Sequence, residues 1–199
     1  MARPKDPDRT DATRAQLRSG AITAFGERGF HGATIKDIAT EAGLSTAAIY
    51  LHHPTKEDVL YQISWDGHRA TVDVIRAALA RRGEPADQLD EVVHDFTLFH
   101  ARGHQMSRII NYELGGLSAP HRAEILAMRH EIEQLIEDLV RRGAAAGVFE
   151  VSDPRLTATA LLSLGVDIGR WYHPGGGWSP EELARHYAGL ARRIVGLRD

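Results

Sequence analysis

Residues 42–60, AGLSTAAIYLHHPTKEDVL, place several side chains that can contact nucleic acid within a few helical turns. Thr46 can donate a hydrogen bond to a base edge or a phosphate, and the methyl group of Ala47 can contact a thymine methyl. Tyr50 and His52 follow about one turn or more further along, where phosphate oxygens would lie. These residue types at this spacing indicate a short helix that enters a groove of double-stranded DNA.

Two short helices separated by a glycine would hold these side chains in place. Thr34 is a predicted N-cap with Asp37 three residues later as its capping-box partner. Gly43 permits the left-handed turn that ends the first helix, and Ser45 caps the second. This spacing is typical of a helix-turn-helix. Lys56 then begins a further helix, whose free amides and dipole would attract a phosphate.

Residues 11–60 resemble the DNA-binding domain of the TetR (tetracycline-repressor-like) family. The matching residues are Thr34, Ile38, Ala39, Ala42, Gly43, Leu44, Ser45, Ala48, Ile49, Tyr50, His52 and Lys56. His53 departs from the family pattern, which usually has Phe there, as do Ala47 and Thr55. The resemblance implies a DNA-binding set made of Thr34, Ser45, Thr46, Ala47, Tyr50, His52 and Lys56. The alternative is that residues 34–60 form an ordinary helical hairpin in an all-α enzyme or small-molecule-binding protein that does not bind DNA.

The composition excludes several other classes of protein. The 199 residues are 43% hydrophobic, enough for a sizeable core, and contain no cysteine, which suits a reducing compartment. Neither a long apolar run nor a signal-peptide pattern is present, so we expect a cytoplasmic protein without membrane contact. The net charge of −3 argues against a basic chain, although the first 18 residues hold five basic against three acidic side chains.

Apolar residues recur at helical spacing almost throughout, which predicts an all-α fold of nine helices and no sheet. The first helix is predicted to begin at about Asp11 and to end before Gly29. The resemblance implies a TetR-like architecture, with an N-terminal three-helix DNA-binding domain and a C-terminal helical domain for ligand binding and dimerisation. The predicted domain limits are a disordered basic arm at 1–10, the helix-turn-helix domain at 11–57 and the ligand-binding and dimerisation domain at 58–199.

A homodimer is implied by the resemblance, because two helix-turn-helix units related by a two-fold axis read half-sites about 34–36 Å apart or a multiple of that distance. Apolar stripes on the last two helices would form a four-helix bundle across the axis. The stripes are Leu161, Leu162, Gly165 and Ile168 on one helix and Leu183, Tyr187, Leu190 and Ile194 on the other. The same stripes could instead belong to the core within one chain.

Side chains on the middle helices and near the glycine-rich break could line an effector pocket, since methionine adapts to irregular ligands. The candidates are Phe96, Phe99, His100, Met106, Ile110, Asn111, Met128, Arg170 and Trp171. Residues 170–184 also resemble the corresponding segment of TetR regulators that respond to acyl-CoA thioesters, where Arg170 could pair with a phosphate of CoA. In the alternative interpretation the Phe and Met residues are core, and Arg170 completes the end of a helix.

Neither a catalytic site nor a metal or other cofactor is predicted. His100 and His104 have the spacing of a metal-binding pair, but no third ligand has a clear spacing. Glu113 is the one plausible catalytic carboxylate for the enzyme alternative. The sequence therefore predicts a transcriptional repressor, not an enzyme, that binds palindromic operator DNA as a homodimer. A small hydrophobic or amphipathic effector, such as an acyl-CoA thioester, would release it.

Overall fold

The computed structural model describes residues 7–197, and the side chains from residue 12 onward. Over this range the chain forms nine α-helices and no strand, which confirms the predicted fold class. The helices are α1 (Pro7–Gly32), α2 (Ile35–Ala42), α3 (Thr46–His52), α4 (Lys56–Leu79), α5 (Pro85–Arg102), α6 (His104–Tyr112), α7 (Ala119–Ala145), α8 (Pro154–Trp171) and α9 (Pro180–Ile194). None of them combines the length and the apolar character that crossing a membrane requires.

The first helix begins earlier than predicted. It starts at Pro7, so residues 7–10 are helical, although the sequence analysis placed them in a disordered arm. The rest of that predicted arm, residues 1–6, lies outside the described residues. The backbone leaves the helical region at Gly29, where φ is 67° and ψ is 168°, and one further turn follows. The predicted stop at Gly29 is therefore a kink near the end of α1.

Side-chain caps determine where most helices begin. Thr34, Thr55 and Ser179 each form a complete capping box with the acidic residue three positions later. The Ser45 hydroxyl accepts a hydrogen bond from the Ala48 amide at 3.1 Å. Helix α5 begins at Pro85, because proline fits the first turn of a helix, where no amide donor is needed. The predicted caps of α2 and α3 are confirmed.

Two large buried clusters hold the helices together, and α4 belongs to both. Leu60 and Ile63 pack with α1, α2, α3 and α6 in the first cluster. Val72 and Ile75 pack with α5, α7, α8 and α9 in the second. A helix of 24 residues is about 36 Å long, so α4 spans both packing units. A displacement of its C-terminal half would therefore move the helix-turn-helix.

The predicted dimer stripes are partly used within the chain. Four of their residues are buried in this single chain: Leu161, Gly165, Ile168 and Leu183. A Cβ atom at Gly165 would lie 2.3 Å from the Phe96 ring, so α8 packs closely on α5 there. These four residues are therefore part of the intrachain core. The sequence assigned them to a dimer interface because helical periodicity does not distinguish burial within a chain from burial between chains. Leu162, Tyr187 and Leu190 are half-buried and Ile194 is exposed.

Candidate nucleic-acid interface and effector cavity

Helix α3 presents one exposed face and buries the opposite edge. Ile49 is fully buried and Ala48 is half-buried. The exposed residues, at i, i+1, i+4 and i+5, are Thr46, Ala47, Tyr50 and Leu51. This face carries two hydroxyl groups and two apolar groups and no acidic side chain, a combination that suits base edges and thymine methyls in a major groove. The DNA contacts assigned to Thr46, Ala47 and Tyr50 stay predictions.

Two exposed residues, one on this face and one beside it, were not predicted. Leu51 is 70% exposed although its neighbour Ile49 is buried. A helical wheel anchored on Ile49 would have placed Leu51 on the same face as Ala47, where its side chain can also contact thymine methyls. Lys36 is exposed in the first turn of α2 and adds a cation next to the helix-turn-helix.

Thr34 and Ser45 position the helices that carry the exposed face. The Thr34 hydroxyl donates to the Asp37 carboxylate at 2.6 Å, and this bond lowers the pKa of Asp37. Arg28 pairs with the same carboxylate at 2.7 Å, which ties α1 to α2. Because both hydroxyls already cap their helices, their predicted contribution to DNA binding would operate through the orientation of α2 and α3. His52, at the end of α3, is half-buried.

Lys56 has a structural role within the chain, which competes with the predicted phosphate contact. Its ammonium donates to the carbonyls of Phe30 at 2.6 Å and Ala33 at 2.7 Å, and lies 4.5 Å from the centroid of the Phe30 ring. These bonds tie the start of α4 to the connection between α1 and α2. Glu57 and Asp58 place negative charge in the first turn of α4, which opposes the binding of a phosphate at that helix end.

Replacing Lys56 by alanine is expected to destabilise the fold without removing a phosphate contact. Hydrogen bonds from a charged donor contribute about 1.5–3 kcal/mol, so Lys56→Ala should lower the free energy of unfolding by about that amount. The salt dependence of DNA binding should stay unchanged. Denaturant titration and DNA titration at several salt concentrations measure both quantities, with exposed Lys36→Ala as the stability control. If stability is unchanged and the salt slope of DNA binding falls by about one per subunit, Lys56 contacts a phosphate and the structural role is wrong.

A polar cluster joins the start of α4 to the start of α7. Glu57 accepts hydrogen bonds from the Ser118 amide at 2.8 Å and from His121 Nδ1 at 2.9 Å. Burial raises the pKa of Glu57, but these bonds outweigh that effect, so its pKa lies below the usual value. The Tyr61 ring stacks on His121 at 3.8 Å, and its hydroxyl donates to Glu124 at 2.5 Å, which raises the pKa of Tyr61 to about 12. The cluster fixes the angle between α4 and α7.

Four predicted pocket residues line one cavity of about 60 Å³: Phe96, His100, Ile110 and Asn111. Its other lining residues are His68, Thr71, Arg129, Ile132, Glu133, Leu162 and Val166. Sequence reasoning missed His68 and Arg129, because a single polar residue on a long amphipathic helix gives no sign of which neighbour it faces. The cavity therefore combines apolar walls with two histidines and lies between α4, α5, α6, α7 and α8.

The other five predicted pocket residues lie outside this cavity. Phe99 and Met106 line a separate cleft of about 390 Å³ beside α1, and Met128 packs against the first buried cluster. Arg170 is largely exposed and pairs with Asp167 at 2.7 and 2.8 Å, while Trp171 packs near Tyr172. Arg170 and Trp171 are thus not residues of this cavity. Glu113 does not line the cavity either.

The two cavity histidines are buried and neutral. His68 Nδ1 lies 2.7 Å from the Ser64 carbonyl, and His100 Nδ1 lies 2.8 Å from the Phe96 carbonyl. A carbonyl can only accept a hydrogen bond, so each Nδ1 carries the proton and each Nε2 carries a lone pair. Burial lowers the pKa of both rings to about 4, although the hydrogen bond from each ring to a backbone carbonyl raises the pKa in part. At neutral pH the cavity therefore contains two hydrogen-bond acceptors.

These two rings are expected to make the fold acid-sensitive. The unfolded chain binds a proton at each histidine near pH 6.5, whereas the folded chain does so only near pH 4. Stability should therefore fall as the pH drops between these values, by roughly 2 kcal/mol per histidine from pH 7 to pH 5. Urea unfolding at both pH values measures the loss. The double variant His68→Leu/His100→Leu should lose much less stability between pH 7 and pH 5 than the variant His173→Leu, which changes an exposed histidine. An equal loss of stability in the two variants would contradict this assignment.

Comparison with known proteins matches the N-terminal and the C-terminal segment of the chain to domains of the same family of regulators. Residues 17–63 match the family described as bacterial regulatory proteins, tetR family, and residues 82–195 match the tetracyclin repressor-like C-terminal domain. Among curated relatives, the HTH-type transcriptional repressor KstR2 of Mycolicibacterium smegmatis is 25% identical over 191 residues, which cover 94% of this chain and 92% of that protein.

Solved structures show the same architecture. A bacterial regulatory protein in the tetR family from Rhodococcus RHA1 is 34% identical and superposes with a TM-score of 0.88, covering 94% of this chain and 98% of its own. AibR, solved in complex with isovaleryl coenzyme A and operator DNA, is 23% identical with a TM-score of 0.81, covering 94% and 100%. At that identity the likeness to AibR concerns the fold alone.

Proposed function

The chain belongs to the TetR family of bacterial transcriptional regulators, and we propose that it represses transcription by binding palindromic operator DNA as a homodimer until a small effector releases it. The observation that carries this proposal is the exposed face of α3. Thr46, Ala47, Tyr50 and Leu51 project from a helix that Ile49 anchors in the core. A second helix-turn-helix, supplied by a partner chain, would bind the second half-site of the operator.

The outer faces of α8 and α9 support the proposed homodimer. Leu156 and Leu164 are exposed on α8, at 67% and 37%, with the small residue Ala160 between them. Ile194 is 39% exposed on α9. Apolar side chains grouped on exposed helix faces mark interaction sites. An isologous pairing of these faces would form the four-helix bundle across a two-fold axis.

Release of DNA would depend on α4. An effector changes DNA binding only if it binds one arrangement of the protein better than the other. A cavity of about 60 Å³ is less than half the 150 Å³ of an engineered cavity that holds benzene, so a larger effector must separate the helices that line it. His68 and Thr71 on α4 belong to that lining. Their displacement would tilt the N-terminal half of α4 and the attached helix-turn-helix.

An acyl-CoA thioester is one proposed class of effector. The fold match to AibR, which was solved with isovaleryl coenzyme A, supports it together with the apolar cavity walls. Arg170 would contact a CoA phosphate only by exchanging its bidentate partner Asp167. A compact hydrophobic effector is the alternative, and it would need no contact with Arg170.

The test is the affinity of the purified chain for the DNA upstream of its own gene. Fluorescence anisotropy with that DNA and with a shuffled duplex of the same length should differ by about 10³-fold or more at physiological salt. Light scattering of the complex should give an even number of chains per site. Leu164→Asp, placed on the proposed dimer face, should yield a monomer with much weaker binding. Equal affinity for both duplexes would overturn the proposal.

A further inference from the structure

Building on the proposed effector response, we propose that the cavity between α4 and α8 recognises a short hydroxylated acyl group, presented either as the free carboxylate or as its thioester. The hydroxyl would donate its one proton to the Nε2 atom of one of the two buried histidines. The acyl carbons would contact the apolar walls, and the carboxyl or thioester end would face Arg129 at the cavity mouth.

The deep end of the cavity calls for a neutral hydrogen-bond donor. His68 and His100 come from different helices, yet both line this one cavity, and each has its Nδ1 proton bound to its own helix. Their Nε2 lone pairs are then the free polar atoms of two rings that are 3% and 2% exposed. The hydroxyl of Thr71 likewise donates to the Gly67 carbonyl, so its oxygen is left as a further acceptor.

A ligand that covers these acceptors without supplying a donor removes them from water at a cost, so a ligand that supplies a hydroxyl gains where a plain hydrocarbon does not. An ammonium group is disfavoured as the donor, because Arg129 already places a positive charge at the same cavity. The charge of Arg129 acts on the histidines too, because it lowers the pKa of His68. A hydroxyl is a donor that carries no charge into this environment.

The mouth of the cavity fits an acyl oxygen. Arg129 is half-buried, and no hydrogen bond or ion pair holds its guanidinium within the part of the chain that the structure describes. Glu133 lies at the same mouth, but it is exposed and its carboxylate can turn to water. A carboxylate could therefore pair with Arg129 and a thioester carbonyl could accept from it.

The length of the acyl group follows from the volume. Apart from Asn111, the remaining lining residues are apolar: Phe96, Ile110, Ile132, Leu162 and Val166. A cavity of about 60 Å³ admits only a few heavy atoms before its helices must separate. Four-carbon acyl groups are therefore suitable probes, with or without a hydroxyl at carbon 3.

Calorimetry in the absence of DNA tests this inference with two matched pairs, 3-hydroxybutyrate against butyrate and 3-hydroxybutyryl-CoA against butyryl-CoA. In at least one pair the hydroxylated member should bind tenfold or more tightly than its partner, because the plain acyl group leaves buried acceptors unpaired. The pair that binds identifies the source of the acyl group. Equal or reversed affinities within both pairs, or no binding of any of the four at millimolar concentration, would overturn the inference.

The histidine variants localise the preference. At least one of His68→Leu and His100→Leu should reduce the hydroxyl preference to less than threefold, whereas exposed His173→Leu should keep it, with thermal melts recorded for all three. Preference that persists in both cavity variants would also overturn the inference. A hydroxylated ligand that binds as expected, in a protein that fails to distinguish operator from shuffled DNA, would refute the proposed repressor function and leave this binding site standing.

Discussion

Ala47→Asp is expected to abolish specific DNA binding, by 100-fold or more, while the chain stays folded. Ala47 is exposed on the face of α3 that we assign to the major groove, so the new carboxylate would lie among phosphates and like charges repel strongly there. The position is in the first turn of the helix, where an aspartate interacts favourably with the helix dipole. Loss of binding should therefore not reflect unfolding.

The matched control is Ala127→Asp, which places the same charge on an exposed alanine of α7. Anisotropy titrations with operator DNA, together with thermal melts, compare the two variants. We expect near wild-type affinity for Ala127→Asp. If both variants bind the operator equally well, α3 is not the helix that enters the groove.

A methyl group at Gly20 is expected to destabilise the helix-turn-helix domain by about 1–3 kcal/mol. The added Cβ would lie 2.5 Å from the Ala42 amide nitrogen and 2.7 Å from its Cα, so it would collide with the backbone of α2. Backbone atoms cannot rotate away as a flexible side chain can, and α1 and α2 would have to separate. DNA affinity should fall with stability, because α2 positions α3.

Gly26 supplies the control in the same helix. A Cβ at Gly26 meets nothing within 4 Å, so Gly26→Ala should stabilise the chain by up to about 1 kcal/mol through helix propensity. Thermal unfolding of the two variants should shift the midpoint by a few degrees in opposite directions. A stabilising effect of Gly20→Ala would contradict the close packing of α1 on α2.

The helix-turn-helix could be predicted in detail because its signals are local. Thr34 with Asp37, Gly43 and Ser45 act on atoms within a few residues, and the structure reproduces each of these caps and turns. The role of Lys56 could not be predicted in the same way. Its carbonyl partner Phe30 is 26 residues earlier in the chain, and only the packing of α4 against α1 brings the two together.

The cavity and the dimer face were predicted less well, for two different reasons. Helical periodicity identifies apolar faces but not what covers them, so Leu161 and Ile168 were assigned to an interface although they are buried within the chain. Arg170 was assigned to the effector pocket although Asp167, three residues earlier, is a favourable helical partner that the sequence already displays. His68 needed the tertiary structure, since its neighbour in the cavity, His100, lies on another helix.

Footprinting of the purified chain on the DNA upstream of its gene tests the central claim most directly. The proposed dimer should protect two segments related by a two-fold axis, with centres one helical turn or a multiple of it apart, about 34–36 Å per turn. Ala47→Asp should erase both segments together and Ala127→Asp should leave both. A single protected segment without symmetry, or protection that Ala47→Asp does not alter, would contradict the assignment of α3 as the reading helix of a homodimeric repressor.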